Sequence, residues 1–483
     1  SQMTTSNQLF GNDNANWIYE NGLYPRLTGM DDSDLAVLHA APIFLNGDET
    51  VASVFSDFNV SVLPENIGWL SSNATEGLTV TIAQIAADGL KGVSFEGTGS
   101  FNLTAALGSA SRTVNLRIPY VFEITSAAQL ARLSYILSDD VEWNNDGYQW
   151  VDANGDLLED GHLVPPYAFD TYFKLMNDIS LAAICGEGVG NWQPIGYDGF
   201  MGHFNGNGHT ISDLYINDEE SANQALFGGV DDGSISNLTV EGSVKAESYV
   251  AGICVYLNNN GTLTNCHNAV ALSAYSEYSY AGGVCVENYG TISNCSNSAH
   301  LEAFNVGGVC QENRGRIDHC YNAGTIEGSY IGGICPQNYN GATISNCYNV
   351  GTLIGNNEDS EVNGITHNSW SASITDCFNA GTLSGGSVYG IGYGYDGSYF
   401  TNCYNTGALF GDEYVAAICN SAEDGGGSGP SKGNNNVTNC FYDKQICTAT
   451  DADATGLLTS EMTSGNSIFG AGNSNWVYTE NFY

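Results

Sequence analysis

Ile292-Ser293-Asn294-Cys295-Ser296-Asn297, Ile317-Asp318-His319-Cys320-Tyr321-Asn322 and Ile344-Ser345-Asn346-Cys347-Tyr348-Asn349 are three settings of one phrase. Each runs aliphatic, small polar or acidic, Asn or His, then Cys. Ile211-Ser212-Asp213-Leu214 and Ile235-Ser236-Asn237-Leu238 carry Leu in place of Cys. Leu263-Thr264-Asn265-Cys266, Ile374-Thr375-Asp376-Cys377, Phe400-Thr401-Asn402-Cys403 and Val437-Thr438-Asn439-Cys440 complete the set, with successive copies 24 to 37 residues apart. A second phrase interleaves at Ala251-Gly252-Ile253-Cys254, Gly282-Gly283-Val284-Cys285, Gly307-Gly308-Val309-Cys310, Gly332-Gly333-Ile334-Cys335 and, more weakly, Ala416-Ala417-Ile418-Cys419. Short alternating strands recurring at this period predict stacked coils, each burying its apolar positions only against its neighbours. Like side chains then lie one strand spacing apart, roughly 4.8 Å, so about nine coils make a rod of about 40 Å.

The columns this stacking creates can be read directly. Ile and Leu or Cys fill the interior, and the glycine pairs sit where a Cβ would clash. The position after Cys is aromatic at Tyr321, Tyr348, Phe378, Tyr404 and Phe441. Alternation turns this column outward, where it either stacks coil on coil or offers a platform for glycans. The next column is Asn (Asn268, Asn297, Asn322, Asn349, Asn379, Asn405), a residue that tolerates turns and bonds to the coil above. Twelve of the 14 cysteines fall in the repeats, at places where early copies hold Leu, as buried apolar residues do. Packed thiols and some disulfides both remain open at this point.

Composition narrows the function. The chain has 483 residues, 60 of them Gly, with 53 acidic against 11 basic side chains and a net charge of -42. Such a surface repels phosphate, which excludes nucleic-acid partners, and it repels anionic lipid. No apolar run reaches the length of about 20 residues that a membrane helix needs, so no membrane insertion is expected. The charge serves solubility or, at some carboxylates, Ca²⁺ binding. The first residue is Ser1 and no signal peptide precedes it, which suggests a stretch of a longer secreted protein.

The two ends share a segment. Met3–Tyr24 aligns without a gap to Met462–Tyr483, matching Phe10 with Phe469, Trp17 with Trp476, Tyr19 with Tyr478 and Tyr24 with Tyr483. The reading is a tandem array whose modules touch through these aromatics, with 1–30 as the closing segment of a preceding module and 446–483 as the cap of this one. In such an array the chain runs on past Tyr483 as it does past Tyr24, and the partners are copies of itself or neighbouring modules of one chain.

Residues 31–119 alternate with period two, as in Leu78-Thr79-Val80-Thr81-Ile82 and Val114-Asn115-Leu116-Arg117-Ile118, and predict an Ig-like β-sandwich. Trp69-Leu70-Ser71-Ser72-Asn73 resembles a strand end of bacterial Ig-like domains. Residues 120–204 are expected to hold the solenoid's leading cap and first coils, with a short capping helix at Ser126–Leu137, and 205–445 the repeats proper. Trp150 to Leu157 reads as a hairpin with an Asn-Gly turn. Its Asp152, Asn154 and Asp156 follow part of a Ca²⁺ loop but lack the spaced Glu, making a weak calcium candidate and no other cofactor.

Further phrases support a resemblance. Asn191-Trp192-Gln193-Pro194-Ile195-Gly196, Phe204-Asn205-Gly206-Asn207-Gly208-His209-Thr210-Ile211, Leu226-Phe227-Gly228 and Cys440-Phe441-Tyr442-Asp443 stand in the order found in GLUG-repeat proteins, which carry the IgA-peptidase GLUG motif. The resemblance covers roughly residues 120–483. It implies an all-β fold, a right-handed β-helix, in secreted or surface proteins of anaerobic, often gut-dwelling bacteria with adhesin-like architectures. Some relatives carry a metallopeptidase domain that needs His-Glu-x-x-His; none of the 8 His here begins one.

Other chemistries find little. No C-x₂-C zinc pair, Gly-x-Ser-x-Gly elbow or phosphate loop is present. A polysaccharide lyase needs basic residues; the repeats offer Lys245, Arg314, Arg316, Lys432 and Lys444, and a paired-carboxylate hydrolase remains open because coils bring distant residues together. The sequence therefore reads as a non-enzymatic extracellular module of a bacterial surface fibre. A glycan-binding adhesin and a β-helix polysaccharide lyase or hydrolase are the alternatives.

Overall fold

A computed structural model describes Trp17–Ile18 and Arg26–Leu27, most of 62–120 and, with short internal gaps, 121–419 and 435–462. The chain divides into two compact units, Ser1–Val121 and Phe122–Tyr483. In the first, Val62–Leu63, Lys91–Glu96 and Thr79–Gln84 form one three-stranded antiparallel sheet, and Gly68–Ser72, Gly99–Leu107 and Ala110–Ile118 form another. Leu78, Phe101 and Leu103 are buried there.

The second unit is a parallel β-solenoid. One interior column runs Phe173, Phe204, Ile235, Leu263, Ile292, Ile317, Ile344, Ile374, Phe400, Val437, each strand-paired in register with the next. These ten rungs are separated by nine turns of chain. Leu272, Leu301, Ile326, Leu353, Leu383 and Leu409 form a second column. Ala281, Val306, Ile331, Val362, Val388 and Val415 form a third. Burying one such aliphatic side chain contributes about 1.5–3 kcal/mol, so the core's strength is distributed along the rod.

The first copy of the repeated phrase departs from the expected alignment. Ile211 pairs with Ile179 and Val240, while Phe204 takes the place above Ile235. Leu214 lies beside Gly242 across a register shift, so of the two early leucines only Leu238 stands in the cysteine column, over Cys266. The local phrase makes the same bend at a different corner. In every copy the third residue, from Asp213 through Asn439, is left-handed, with φ between 53 and 63°. That conformation penalises a Cβ and is best borne by Asn and Asp, which explains the residue choice. The left-handed turn column is thus the one before Cys (Asn265, Asn294, Asn346, Asn402), and of the two roles expected for the Asn268 column the bond to the coil above is its task.

That task is a buried ladder. Asn268 Nδ2 donates to Asn297 Oδ1 at 2.7 Å, and bonds of 2.8 Å link Asn297 to Asn322, Asn322 to Asn349, Asn349 to Asn379 and Asn379 to Asn405. All six are fully buried. Each also clamps its own corner: Asn322 Nδ2 donates to Gly324 O at 3.3 Å and Asn322 Oδ1 accepts from Gly324 N at 3.2 Å. Two donors and two lone pairs are all used, as a buried amide requires. The run stops where Asn405 faces Tyr442. A second ladder, Asn288 to Asn313 to Asn338 at 2.7 and 2.8 Å, lies in the seven-stranded sheet on another face and was not anticipated.

The glycine pairs answer to close approach. A Cβ on Gly283 would strike the carbonyl oxygen of Gly308, and one on Gly308 that of Gly333. Cys254, Cys285 and Cys310 stack in the seven-stranded sheet. Backbone amides of Cys266, Cys295 and Cys320 each meet the Sγ of Cys295, Cys320 and Cys347 at 3.4 Å, joining a second thiol column.

The leading cap forms as the pattern predicts. Ser126 caps the Ala127–Ile136 helix by accepting from Gln129 N, and Leu130 and Leu133 are buried with Phe122, Trp150 and Phe173. Trp192, Phe200 and Phe227 are interior here: Trp192 Nε1 donates to Leu226 O at 3.1 Å, and the Phe200 and Phe227 rings meet at 5.4 Å. At the far end Thr455–Leu457 pairs with Phe441–Asp443, and Met462 packs on Tyr404. Asn322→Leu strands the Asn297 donor and the Asn349 acceptor in an apolar shell. It should lower stability by about 3 kcal/mol, read as a fall in the urea unfolding midpoint; an unchanged midpoint would remove the ladder's structural role.

Candidate functional site

The aromatic residues Tyr321, Tyr348, Phe378 and Tyr404 are brought together as a stack. Successive ring centroids lie 4.9, 4.8 and 4.9 Å apart with interplanar angles of 3, 6 and 2°. Phe441 follows Tyr404 in register. The ring faces therefore cover one another; the column is not outward along its whole length as expected, since Tyr321, Tyr348 and Phe378 are half-buried and Tyr404 is buried against Met462. A sugar stacks on a ring face, so this column offers little platform along its length.

The calcium candidates fold back on their own loop. Asp152 Oδ1 accepts from the backbone N of Asn154 at 2.8 Å and of Asp156 at 3.0 Å, which holds the carboxyl below its ordinary value. The hairpin is a three-residue loop with Gly155 at φ 93°, closed by Asp152 N to Asp156 O at 2.9 Å. No group of three or more His, Cys, Asp or Glu among the described residues is placed to hold a metal ion. Of the end-segment residues, Trp17 lies on a two-residue strand paired through Leu27. Phe10, Tyr19, Tyr24, Phe469, Trp476, Tyr478 and Tyr483 lie outside the described residues.

The outer face of the seven-stranded sheet gathers more chemistry. Tyr256, Glu287, Glu312 and Gln337 follow one another in register. Arg314 Nε donates to Glu312 Oε1 at 2.5 Å, and its guanidinium lies 4.1 Å from the Tyr339 ring centre and 5.8 Å from that of Tyr289. Burial, then the charge of Glu312, raises the Glu287 carboxyl. Burial also pushes the Tyr256 hydroxyl up to about 12. Two carboxylates one strand apart invite comparison with a hydrolase pair. Here Arg314 pairs with Glu312 and pins it to the sheet, so the set reads as a surface ladder in which one of the two carboxylates is committed to an ion pair. The sequence signal was present in Glu287-Asn288-Tyr289 and Glu312-Asn313-Arg314, which repeat 25 residues apart.

Arg316 is committed to an ion pair with Asp318, Nη2 to Oδ2 at 3.0 Å. Burial favours the neutral Asp318 carboxyl. Hydrogen bonds from Ser345 (2.6 Å), Asn346 (2.9 Å), His319 and Arg316 outweigh it and hold the group well below the usual carboxylate range. A depressed folded value stabilises the fold above the unfolded value of about 4 and ceases to do so as pH falls through the folded value. Asp318→Asn should therefore reduce the loss of melting temperature between pH about 5 and about 2; an identical loss in both proteins would refute the assignment.

All 14 cysteines are buried. Burial pushes the Cys285 and Cys335 thiols well up, and with Cys295 as hydrogen-bond neighbour the Cys320 thiol as well. Thiol reagents should leave the native protein unmodified at pH about 8 and react on unfolding in guanidinium; rapid native labelling of Cys320 would contradict the packing.

No protein-family model matches the chain. Over 99 residues it is 34% identical to a protein of Evansella cellulosilytica named "putative Gly-rich membrane protein", a match covering 20% of this chain and 12% of that one. The chain thus spans about an eighth of that relative's length. Among solved structures it is similar to a "putative immunoglobulin A1 protease" from Bacteroides ovatus, at 14% identity and a TM-score of 0.31, over 74% of this chain and 91% of that one. Neither likeness assigns an activity. No helix among the described residues is long and apolar enough to cross a membrane, which says nothing of membrane-spanning strands.

Proposed function

We propose that this chain is a non-enzymatic structural and adhesive module of an extracellular bacterial surface fibre, joined head to tail through the aromatic segment repeated at 3–24 and 462–483. The observation that carries the reading is the commitment of side chains to coil-on-coil contact: the Asn268–Asn405 ladder, the Tyr321–Tyr404 stack and the aliphatic columns all run along one axis. Such an assembly resists bending and transmits load, because each coil is hydrogen-bonded edge-on to the next. A charge of -42 keeps rods dispersed laterally and repels nucleic acid and anionic lipid, leaving end contacts as the route to assembly. On the seven-stranded face Arg314 ties Glu312 to the Tyr339 and Tyr289 rings, which favours scaffolding over catalysis there.

Electron microscopy and light scattering of the chain at rising concentration test this. End-to-end oligomers are expected, weakened by Trp17→Ala or Trp476→Ala. A strict monomer at every concentration, or lateral sheets unaffected by both substitutions, refutes the head-to-tail contact. Cleavage of neutral or acidic polysaccharide that disappears in Glu287→Gln refutes the non-enzymatic reading.

A further inference from the structure

One lateral face breaks the regularity of the coils. Leu353, Leu383 and Leu409 stack inward on three successive turns, with Ile354, Ser384 and Phe410 outward beside them. The loops that leave these strands differ in length. Five residues, 356–360, separate Gly355 from Glu361 on the first turn; Gly386 alone separates Gly385 from Ser387 on the second; Asp412 and Glu413 separate Gly411 from Tyr414 on the third. The middle turn is therefore low between two raised walls. The result is an open groove of about 900 Å³ with Ser384 and Gly385 in its floor, Asn356, Asn357 and Glu358 on one wall, and Phe410 and Asp412 on the other.

The first wall is held in place. Asn356 Oδ1 accepts from Ser329 Oγ at 2.9 Å and from Asn357 Nδ2 at 2.8 Å, Asn357 Nδ2 also reaches Ser329 Oγ at 3.0 Å, and Gly386 N donates to Ser360 Oγ at 3.1 Å. The Phe410 side, in contrast, is unburied: the residue is 61% exposed. An exposed phenyl ring facing amide and carboxylate groups across a groove within the usual volume of ligand sites, about 300–1,000 Å³, pairs an apolar surface with hydrogen-bonding groups. A pyranose needs both, an apolar C–H face and a rim of hydroxyls.

We propose that this groove binds neutral oligosaccharide, with Phe410 stacking on a sugar ring and Asn357, Glu358 and Asp412 bonding its hydroxyls. The lining residues include two carboxylates and no Lys or Arg, so uronic, sulfated and sialylated glycans are repelled. The site is separate from the stacked column at Tyr321–Tyr404, whose ring faces are occupied, and it does not depend on how the modules assemble.

The test is a glycan array of neutral hexose oligosaccharides with their sialylated and sulfated counterparts, followed by titration calorimetry with the best neutral binder. Neutral oligosaccharides should bind. Phe410→Ala should weaken binding about tenfold and Phe410→Trp should preserve it, with unfolding midpoints unchanged because the ring is exposed. Ser384→Arg, which fills the floor and leaves the ring in place, should abolish binding. Absence of neutral-glycan binding by the unaltered chain, preference for the anionic counterparts, or equal affinity in Phe410→Ala overturns the proposal.

Discussion

A carboxamide side chain with no access to water must place two N–H groups and two lone pairs, and the rest of this fold is arranged so that it can. Each interior member of the column, Asn297 to Asn379, gives one hydrogen to the amide of the next coil and one to its own corner, and receives one from the amide of the preceding coil and one from the backbone N–H of its own corner. Missing any of these leaves a buried polar atom at a cost of about 1–3 kcal/mol. The ladder thus penalises every register but one. Aliphatic columns slide with small loss; amide columns do not. The apolar core supplies most of the driving force, and the asparagines select the alignment in which it is used.

The same demand explains the small residues around the ladder. Gly351, the corner clamped by Asn349, lies where a Cβ would come within 2.6 Å of Asn322 Nδ2, so this corner admits no side chain, whereas the first two corners hold Val270 and Ala299. The thiols follow a related logic. A cysteine is small enough to stack at strand spacing beside these corners, and its sulfur accepts the neighbouring amide, as Cys320 does from Cys295 N at 3.4 Å. A leucine fits the same interior column at Leu238, before the amide ladder begins at Asn268.

Much of this was legible because a solenoid writes its contacts as a period. The recurring Ile-x-Asn-Cys phrase located the coils, the stacked aromatic column and the Asn268 column, and helical spacing located the leading cap. The phrase at Ile211 was misaligned because local pattern records the bend at Asp213 and not which neighbour the strand will meet. The turn role was given to the Asn268 column, three residues after the left-handed one: Asn is common in both columns, and only backbone angles separate the turn from the buried ladder. The groove beside Phe410 had no signal, since it comes from three unequal loop lengths that alignment of the phrases treats as gaps.

Tyr442 stands where a seventh ladder amide would be. Up to that point any coil is a template for another like it, and nothing in the stacking itself counts turns. Tyr442 brings no carboxamide to the relay, which ends there while one more strand, Thr455–Leu457, still pairs with Phe441–Asp443. Duplication of a coil before Asn405 would therefore lengthen the rod and its amide relay together, whereas a coil added after Tyr442 would stack through backbone pairing and apolar columns alone, as the coils before Asn268 do.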